Sequence, residues 1–467
     1  MKNLLGIDVG TTSVKAAVFN ENGEMLLHNT YDYTLLTSGD FVEFPPQEYV
    51  RIVKEAIKDA KEKYDIYALA IDTQCETMIL TDEKGEPLCN AIVWLDNRAQ
   101  KEAEIIREHF GNKRVYEVTG QPEIAATWPA CKLLWLENNR YDIFSKIDKI
   151  FLLEDYLIYS LTGEFVTEKT LQSSSIYFDI TKEVWWDEML DFIGVDRAKL
   201  PKLLDSGVCV GEYDGIKVVT SAMDQSAASI GAGVMKEGSV SEMTGTTMVI
   251  FVPCDKMPKY DPASIVPCHY NFNGKYARIL WTQTAGMVLK WFKNNFCENF
   301  SFKELDEIAK EVPAGACGLT MLPHLCGSTM PFYNFDAKGT FHGITLEHTR
   351  AHFVRAILEA IAAQLRENLE YLPFDIDELI TMGGGAQSRL WCQIKADMTG
   401  KKIKTLANTE TAVLGSAILA GVGTGVYKSA EDAVKLVKMD KEYLPRGENY
   451  DDIYKRFVEL DKKLNRG

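Results

Sequence analysis

The chain has 467 residues, a formal net charge of −16 and 46% hydrophobic residues. A chain of this length exceeds what one hydrophobic core serves, which predicts two large domains. The acidic balance argues against nucleic acid or an anionic membrane surface as a partner, because both are negatively charged.

The cysteine pattern and the start of the chain indicate the compartment. The ten cysteines are scattered without a C-x-x-C pair, which predicts neither a zinc site nor a redox motif. Reduced thiols in a reducing compartment are therefore expected. The start, MKNLLGIDVG, reaches Asp8 before a leader region forms, and no uncharged apolar run is long enough to span a bilayer. We expect a cytoplasmic protein.

Residues 4–19, LLGIDVGTTSVKAAVF, predict two β-strands joined by a turn at Gly10, Thr11 and Thr12. Glycine lets the backbone approach a phosphate, and the threonines add hydroxyl and N–H donors. Asp8, just before the turn, is placed to hold a hydrated Mg²⁺ beside the phosphates. An ordinary hairpin with a polar tip explains the same residues equally well.

A second copy of this turn favours the phosphate-binding explanation over the ordinary hairpin. Residues 238–252, GSVSEMTGTTMVIFV, place Gly245, Thr246 and Thr247 between two β-rich runs, half a chain later. Two phosphate-type hairpins indicate two similar domains. The pair resembles the actin-like ATPase superfamily, and the motifs described below resemble the FGGY carbohydrate kinases.

This resemblance implies an α/β fold of two ribonuclease-H-like domains with a nucleotide and sugar cleft between them. Residues 1–235 form the N-terminal domain with the sugar-binding side, the first hairpin and the catalytic aspartate. Residues 236–467 form the C-terminal domain with the second hairpin and the adenosine pocket. ATP and Mg²⁺ are the implied cofactors, and Lys15 joins the nucleotide contacts of the first hairpin.

After the first hairpin, residues 47–64 have the apolar spacing of an amphipathic helix, and a strand from Tyr67 to Ile71 follows. Polar groups after a strand of an α/β sheet lie where ligands bind. Four such side chains are candidates for a polyol pocket, although loop polar groups that satisfy the backbone explain them equally well: Gln74, Glu76, Asp96 and Arg98.

The same stretch resembles the Q-R-E-T segment of glycerol kinases, whose arginine and glutamate bind substrate hydroxyls. Glu76 matches that glutamate, whereas Cys75 stands at the arginine position. The Met-His pair of xylulose kinases is absent as well. The substrate-side pattern fits neither subgroup cleanly.

Residues 127–139, TWPACKLLWLENN, nearly reproduce the first FGGY signature, with Thr127 off the pattern. Its apolar face is expected to be core. The aromatic residues of 151–200 are likewise expected to be core, and no site residue is predicted there.

Residues 216–234, IKVVTSAMDQSAASIGAGV, predict a buried strand, then Asp224 and a helix of small residues. From these residues alone, Asp224 is a helix-capping carboxylate. The resemblance implies a different role, because the FGGY kinases place their catalytic aspartate in a segment of this form. Asp224 is then the general base for a substrate hydroxyl, and Gln225 and Glu76 orient the sugar.

The second half begins its helix near Thr284, and Gly286 resembles a glycine that lets this helix pass close to the nucleotide. The loop 318–334 carries Ser328 and Thr329 where the family usually has Glu and Arg. Residues 339–359, GTFHGITLEHTRAHFVRAILE, satisfy the second FGGY signature at every constrained position. We interpret His352 as a structural residue at a helix start.

Residues 379–400, LITMGGGAQSRLWCQIKADMTG, predict a strand, a glycine run and a helix. A tight turn accounts for most such runs. The resemblance makes this one the adenosine pocket, with Gly384, Gly385 and Ser388 as nucleotide contacts. Residues 409–425 predict a small-residue helix, and the resemblance implies that it closes the C-terminal domain. A pair of charged amphipathic helices is expected to follow.

The function implied is an ATP-dependent kinase that phosphorylates a small sugar or polyol, with a ketopentose such as xylulose favoured over glycerol or another polyol. Two other classes are alternatives: an actin- or chaperone-like ATPase without a small-molecule acceptor, and a catalytically silent sugar-binding regulator. Retention of Asp8, Asp224 and both hairpins speaks against the regulator. A homodimer is the default expectation for the oligomeric state.

Overall fold

The computed structural model describes residues 2–262, 266–372, 374–447 and 449–466. The chain forms two compact units that alternate along the sequence. The first comprises Met1–Met235, Cys254–Ala277 and Glu410–Val437, and the second comprises Lys236–Pro253, Arg278–Thr409 and Lys438–Gly467. The sequence predicts two continuous domains, whereas residues 410–437 here return to the first unit.

The strands of the N-terminal half are β1 (Asn3–Val9), β2 (Ser13–Phe19), β3 (Met25–Asp32), β4 (Leu36–Ser38), β5 (Phe41–Phe44), β6 (Ile66–Thr73), β7 (Met78–Thr81), β8 (Ala91–Ile92), β9 (Lys149–Leu152), β10 (Val166–Glu168), β11 (Phe178–Asp179), β12 (Val184–Trp185), β13 (Lys202–Leu204), β14 (Cys209–Tyr213) and β15 (Ile216–Met223). Its helices are α1 (Pro46–Lys61), α2 (Gln100–Thr119), α3 (Pro129–Asn139), α4 (Tyr141–Phe144), α5 (Leu153–Thr162), α6 (Asp187–Phe192) and α7 (Asp224–Gly231).

The strands of the C-terminal half are β16 (Val240–Thr244), β17 (Met248–Cys254), β18 (Cys268–Asn271), β19 (Lys275–Thr282), β20 (Thr320–Leu322), β21 (Thr340–His342), β22 (Glu378–Met382), β23 (Lys402–Leu406) and β24 (Met439–Tyr443). Its helices are α8 (Gly286–Phe296), α9 (Phe302–Lys310), α10 (Arg350–Glu370), α11 (Arg389–Thr399), α12 (Thr411–Gly423), α13 (Ala430–Ala433) and α14 (Asp451–Asn465).

The main sheets of the two units share one topology. In the first unit the order is β14-β15-β6-β1-β2-β3: β1, β2 and β3 are antiparallel, and β6 and β15 run parallel to β1. In the second unit β16 again pairs antiparallel with β17 and parallel with β22, which pairs parallel with β23. The repeated ribonuclease-H-like arrangement that the two hairpins predict is therefore confirmed.

Helix α12 belongs to the first unit and packs closely on its sheet and on α7. A Cβ on Gly6 of β1 would lie 1.8 Å from the Val413 carbonyl oxygen, and one on Gly415 would lie 1.9 Å from the Ala227 carbonyl oxygen. Only glycine permits these approaches, which explains the small residues of this helix. The expectation that 409–425 closes the C-terminal domain is wrong for this reason.

Other elements differ from the sequence expectation at their ends. Helix α1 ends at Lys61 rather than at residue 64, and β6 continues through Thr73, past the predicted end at Ile71. The expected pair of terminal helices is wrong, because Met439–Tyr443 adds β24 to the sheet and α14 is the long helix that follows. Among the described residues, no helix combines the length and apolarity needed to cross a bilayer.

Candidate active site

Three neighbouring parallel strands of the first unit end at one edge of its sheet. Asp8 of β1 lies in register with Asp72 of β6, and Met223 of β15 lies in register with Thr73. Asp224 directly follows β15. Because parallel strands deliver their carboxyl ends to the same edge, three aspartates are collected there. The sequence predicts site roles for Asp8 and Asp224 but not for Asp72, because its pattern predicts that this strand ends at Ile71.

Asp224 is the first residue of α7 and is half-buried. Its Oδ1 accepts the Gln225 backbone N–H at 2.7 Å, and the Cys75 thiol lies 3.8 Å from the same oxygen. Burial raises the pKa of Asp224 to about 6. Both contacts engage Oδ1, so this oxygen fixes the orientation of the carboxylate.

The first predicted phosphate turn is braced by side chains that the sequence analysis did not assign to it. The turn closes through the Gly10 N–H, which donates to the Ser13 carbonyl at 3.0 Å. The Trp94 indole N–H donates to the Thr11 hydroxyl at 3.0 Å, and the Tyr33 hydroxyl donates to the Gly10 carbonyl. Thr12 is exposed at the tip. Trp94 is far from Thr11 in the sequence, so no local pattern predicts this contact.

Gln74 lies behind this turn and is 4% exposed. Its amide N–H₂ donates to the Tyr49 hydroxyl at 3.0 Å and to the Tyr33 hydroxyl at 3.4 Å. Gln74 therefore supports Tyr33, and its role as a sugar contact stays a prediction. The Gln74 N–H donates to the Val9 carbonyl at 2.9 Å, so this residue continues the sheet.

Lys15 lies opposite Asp8 in the hairpin register and forms an ion pair with Glu410 at 2.8 Å. The lysine is about one-third exposed, with 36% of its side chain accessible. Glu410 begins the segment that returns to the first unit. A phosphate that binds Lys15 has to compete with this carboxylate.

Glu76 is half-buried and adopts a left-handed backbone conformation with φ of 60°. This conformation is uncommon for a residue other than glycine and is often found at functional sites. Burial raises the pKa of Glu76 to about 7, and the Asp224 charge acts in the same direction while Ser174 and Lys132 oppose it. Glu76 and Asp224 thus influence each other's charge.

Asp96 and Arg98 are engaged with each other and with neighbouring groups. Asp96 accepts the Val42 backbone N–H at 2.7 Å and the Arg98 Nε at 2.8 Å. The guanidinium also pairs with Glu43 at 2.6 Å and lies over the Phe41 ring. This closed network stabilises the small sheet, which favours the structural explanation for both residues over a polyol contact.

Asp8 stands in a cluster of negative charge. Burial raises its pKa to about 7, the Asp224 charge adds to this, and Lys15 opposes it. Asp72 Oδ1 is buried and accepts no hydrogen bond from a described residue. A bound cation suits this cluster, although no group of three or more His, Cys, Asp or Glu side chains among the described residues is arranged to hold a metal directly.

The second predicted phosphate turn is braced by the start of helix α8. The Gly245 N–H donates to the Thr247 carbonyl at 2.9 Å, and the Gly286 N–H donates to the Gly245 carbonyl at 2.9 Å. A Cβ on Gly286 would lie 2.3 Å from that carbonyl oxygen. The glycine at this helix start therefore serves a close approach to the turn, and Thr246 is left exposed at its tip.

The glycine run after β22 is open on one side and closed on the other. Gly384 is exposed, and a Cβ there would meet nothing within 4 Å. Gly385 is buried against Thr244, whose Cβ would lie 2.8 Å from an added Cβ. Ser388 caps α11, because its hydroxyl accepts the Trp391 N–H at 3.0 Å.

His352 caps α10 with Thr349, as predicted.

Family models match nearly the whole chain. The model for the N-terminal domain of the FGGY family of carbohydrate kinases matches residues 3–231, and that for the C-terminal domain matches residues 243–424. The Bacillus subtilis xylulose kinase is 27% identical, covering 100% of this chain and 98% of the relative. The Thermococcus onnurineus glycerol kinase is 31% identical, covering 95% and 93%.

Solved structures of the same family superpose on this one. The ligand-bound xylulose kinase from Lactobacillus acidophilus has a TM-score of 0.92 at 24% identity, covering 99% of this chain and 98% of that chain. The Plasmodium falciparum glycerol kinase with ADP has a TM-score of 0.89 at 26% identity, covering 99% and 97%. The chain therefore belongs to the FGGY family of carbohydrate kinases: it is an ATP-dependent sugar phosphotransferase with the two-domain actin-like ATPase fold.

Proposed function

We propose that this kinase transfers the γ-phosphate of ATP to a hydroxyl of a ketopentose such as xylulose, with Asp224 as the general base. The observation that carries the proposal is the half-buried Asp224 carboxylate, held by the Gln225 N–H and the Cys75 thiol at the edge where the parallel strands end. With a pKa of about 6 it is largely ionised at neutral pH and still basic enough to accept a proton.

In the proposed reaction, Asp224 Oδ2 accepts the proton of the acceptor hydroxyl as its oxygen attacks the γ-phosphorus in line with the departing ADP. Phosphoryl transfer needs little covalent help beyond positioning, charge neutralisation and such a base. Glu76 and Gln225 orient the sugar through its other hydroxyls. Glu76 is half-buried and has a strained backbone conformation, which suits its carboxylate to this binding role.

Each unit presents one turn for the phosphates of ATP. Thr11 and Thr12 serve in the first unit, and Thr246 and Thr247 serve in the second. The support is their position in braced turns that the Gly10 and Gly245 N–H groups close, with Thr12 and Thr246 exposed at the tips.

The remaining nucleotide contacts follow from the glycine run and the first hairpin. The open face at Gly384 and the bare backbone at Gly385 provide a surface for the adenosine, and Ser388 lies at the start of α11 beside them. Lys15 is available to the phosphates when it exchanges its Glu410 partner.

Asp8 is proposed to hold Mg²⁺ through water, with Asp72 in register beside it. A buried pair of carboxylates with Asp224 nearby is destabilised unless it takes up protons or a cation, and hydrated Mg²⁺ accepts oxygen ligands of this kind. When bound, the ion neutralises phosphate charge.

The candidate acceptors differ in charge, and the acidic residues of the site favour a neutral sugar. Gluconate is an anion, and Asp8, Glu76 and Asp224 would repel it, although a Bacillus subtilis gluconokinase is 27% identical. Several relatives with similar identity are named xylulose kinase. Glycerol is the second candidate, because a glycerol kinase is 31% identical. Glu76 also matches the glutamate of the Q-R-E-T segment that this stretch resembles.

A coupled assay of ADP formation tests the proposal, with xylulose, ribulose, glycerol and gluconate offered at equal concentrations. We expect the highest kcat/KM with a ketopentose. A preference for glycerol would support the second candidate, and a preference for gluconate would contradict the charge argument. ADP formation that needs no acceptor would point to the ATPase alternative. The cytoplasmic location and the homodimer stay predictions from the sequence.

A further inference from the structure

A buried lysine lies directly beneath the second phosphate turn. Lys395 of α11 is 0% exposed and pairs with Glu242 of β16, whose carboxylate lies 2.7 Å from the ammonium nitrogen. The same nitrogen lies 2.9 Å from the Thr244 hydroxyl and 3.2 Å from the Thr381 hydroxyl. An ammonium group has three N–H donors, and these three acceptors use all of them.

The acceptors are also bonded to each other. Glu242 and Thr381 are register partners on β16 and β22. The Thr381 hydroxyl donates to Glu242 Oε2, and the Thr244 hydroxyl donates to Glu242 Oε1. Every member of this four-residue network is therefore satisfied within it, which makes the arrangement rigid and specific.

Thr244 is the residue through which this network reaches the turn, since Gly245, Thr246 and Thr247 follow it directly. Its side chain is held on one side by Lys395 and Glu242. On the other side Gly383 and Gly385 pack against it so closely that an added Cβ on either would lie 2.8 Å from a Thr244 atom. The position of the turn is thus set by this residue at one end and by the start of α8 at the other.

Helix α11 begins immediately after the glycine run. Ser388 caps it, and Lys395 lies two turns further on. One side chain therefore ties the segment proposed to bind adenosine to the segment proposed to bind phosphate. A neutral residue of similar shape would fill the space but would leave Glu242 buried without its cation.

We infer that Lys395, through its pair with Glu242, is a positioning residue for ATP: it fixes the second phosphate turn relative to the glycine run. The inference rests on the proposed function of that turn. Lys395 is fully buried and is not among the residues proposed to bind the acceptor, so its effect is expected to be confined to the nucleotide.

The test compares variants of the full-length enzyme for ADP affinity by calorimetry, for kcat/KM with ATP and with xylulose, and for thermal midpoint. For K395M we expect kcat/KM for ATP to fall by about 10²-fold, since small misplacements of binding groups cost that much. KM for xylulose is expected to change by less than about twofold, because uncoupled sites vary independently. The thermal midpoint falls as well, because Glu242 loses its partner.

The double variant K395M/E242L separates positioning from stability. Removing both members of a buried pair is close to neutral for stability, so its thermal midpoint should return toward that of the wild type. Its ADP affinity should remain low, because Thr244 has lost both partners. Recovery of ADP affinity together with the midpoint would overturn the inference, as would wild-type ADP affinity in K395M.

The matched control is the buried pair between Arg355 and Glu359 of α10, whose Nε–Oε1 distance is 2.7 Å and whose other partners are Tyr450 and Gly315. R355M should lower the thermal midpoint without a selective loss of ADP affinity. The variant T246A/T247A tests the turn itself. If it leaves ADP affinity unchanged, the proposed phosphate site fails; if it weakens binding and K395M does not, only the inference fails.

Discussion

The Cys75 thiol lies 3.8 Å from Asp224 Oδ1, so a neutral sulfur group directly contacts the proposed catalytic base. Burial raises the pKa of this thiol well above its ordinary value, and the charges of Asp224 and Glu76 add to that direction. Cys75 therefore remains an S–H donor at neutral pH. Its hydrogen bond lowers the pKa of Asp224 against the larger effect of burial.

Replacing Asp224 by Asn removes the proposed base with little change in shape. We expect kcat to fall by roughly 10²–10⁴, the range in which general-base catalysis contributes. ADP affinity, measured by calorimetry, should be retained, because Asp224 is not among the residues proposed to bind the nucleotide. Near-normal turnover in this variant would remove the assignment.

Loss of the Cys75 donor should be visible in the pH profile. Asp224 must be ionised to accept a proton, so kcat/KM falls as the pH drops through its pKa of about 6. In C75A the pKa of Asp224 rises, and the acid limb should move to higher pH. C75S retains a donor and is the control. Asp8 and Glu76 titrate in the same region, with pKa values of about 7, and contribute to both profiles. Identical acid limbs in C75A and the wild type would contradict the contact.

Asp155 of α5 offers a stability test away from the reaction. Burial raises the pKa of Asp155 to about 8, far above that of an unfolded aspartate. Its contribution to stability is full below pH 4 and is lost as the pH rises through about 8. The thermal midpoint of the wild type should therefore fall between pH 6 and pH 9 more than that of D155N.

The asparagine fits this position. Asp155 Oδ2 accepts the Leu152 N–H at 2.9 Å and the Gln172 side-chain N–H₂ at 3.3 Å, and the amide oxygen of an asparagine can accept both. Equal pH dependence in both proteins would show that Asp155 is ionised in the folded state.

Two glycines of the second unit distinguish packing from ligand contact. A Cβ on Gly384 meets nothing within 4 Å, so G384A should keep its thermal midpoint and lose ADP affinity by about tenfold if adenosine lies there. A Cβ on Gly286 would lie 2.3 Å from the Gly245 carbonyl oxygen, so G286A should lose both stability and ADP affinity. Unchanged ADP affinity in G384A would place the adenosine elsewhere.

Asp8 is tested by titration with magnesium. In D8N the Mg²⁺ concentration that gives half-maximal rate should rise by about tenfold or more, since one carboxylate partner of the hydrated ion is lost. Mg²⁺ binding in the presence of ADP, followed by calorimetry, gives a readout that does not depend on turnover. If the Mg²⁺ concentration for half-maximal rate were unchanged in D8N, Asp8 would be excluded as the residue that holds Mg²⁺.

The parts of the fold that the sequence predicts are those with a local signal. The two glycine-threonine turns, the strand before Asp224 and the helix that follows the glycine run all lie where their residues indicate. These elements are specified by short-range periodicity and turn chemistry, which a single sequence displays directly. The family resemblance, confirmed by both family models, rests on the same segments.

The parts that the sequence does not reveal depend on contacts between distant residues. Trp94 binds the hydroxyl of Thr11, and Tyr33 links Gln74 to Gly10, yet nothing near these residues in the sequence predicts such a contact. The Lys395–Glu242 pair joins residues that are far apart on different elements. The local sequence around each one predicts an exposed charged residue. The prediction that α12 closes the C-terminal domain is wrong for the same reason, because α12 packs on a sheet whose strands lie far earlier in the sequence.

Helix α12 has a consequence for how the protein is made. The sheet that carries Asp8 and Asp72 is covered on one face by α12, which is synthesised only after two segments of the second unit, Lys236–Pro253 and Arg278–Thr409. Until then Gly6 and Ala227 present bare backbone with no covering layer, and Asp72 lacks the Ser416 hydroxyl that donates to it at 2.5 Å. A truncated chain that stops at residue 235 should consequently associate or bind chaperones, rather than persist as a soluble half-enzyme.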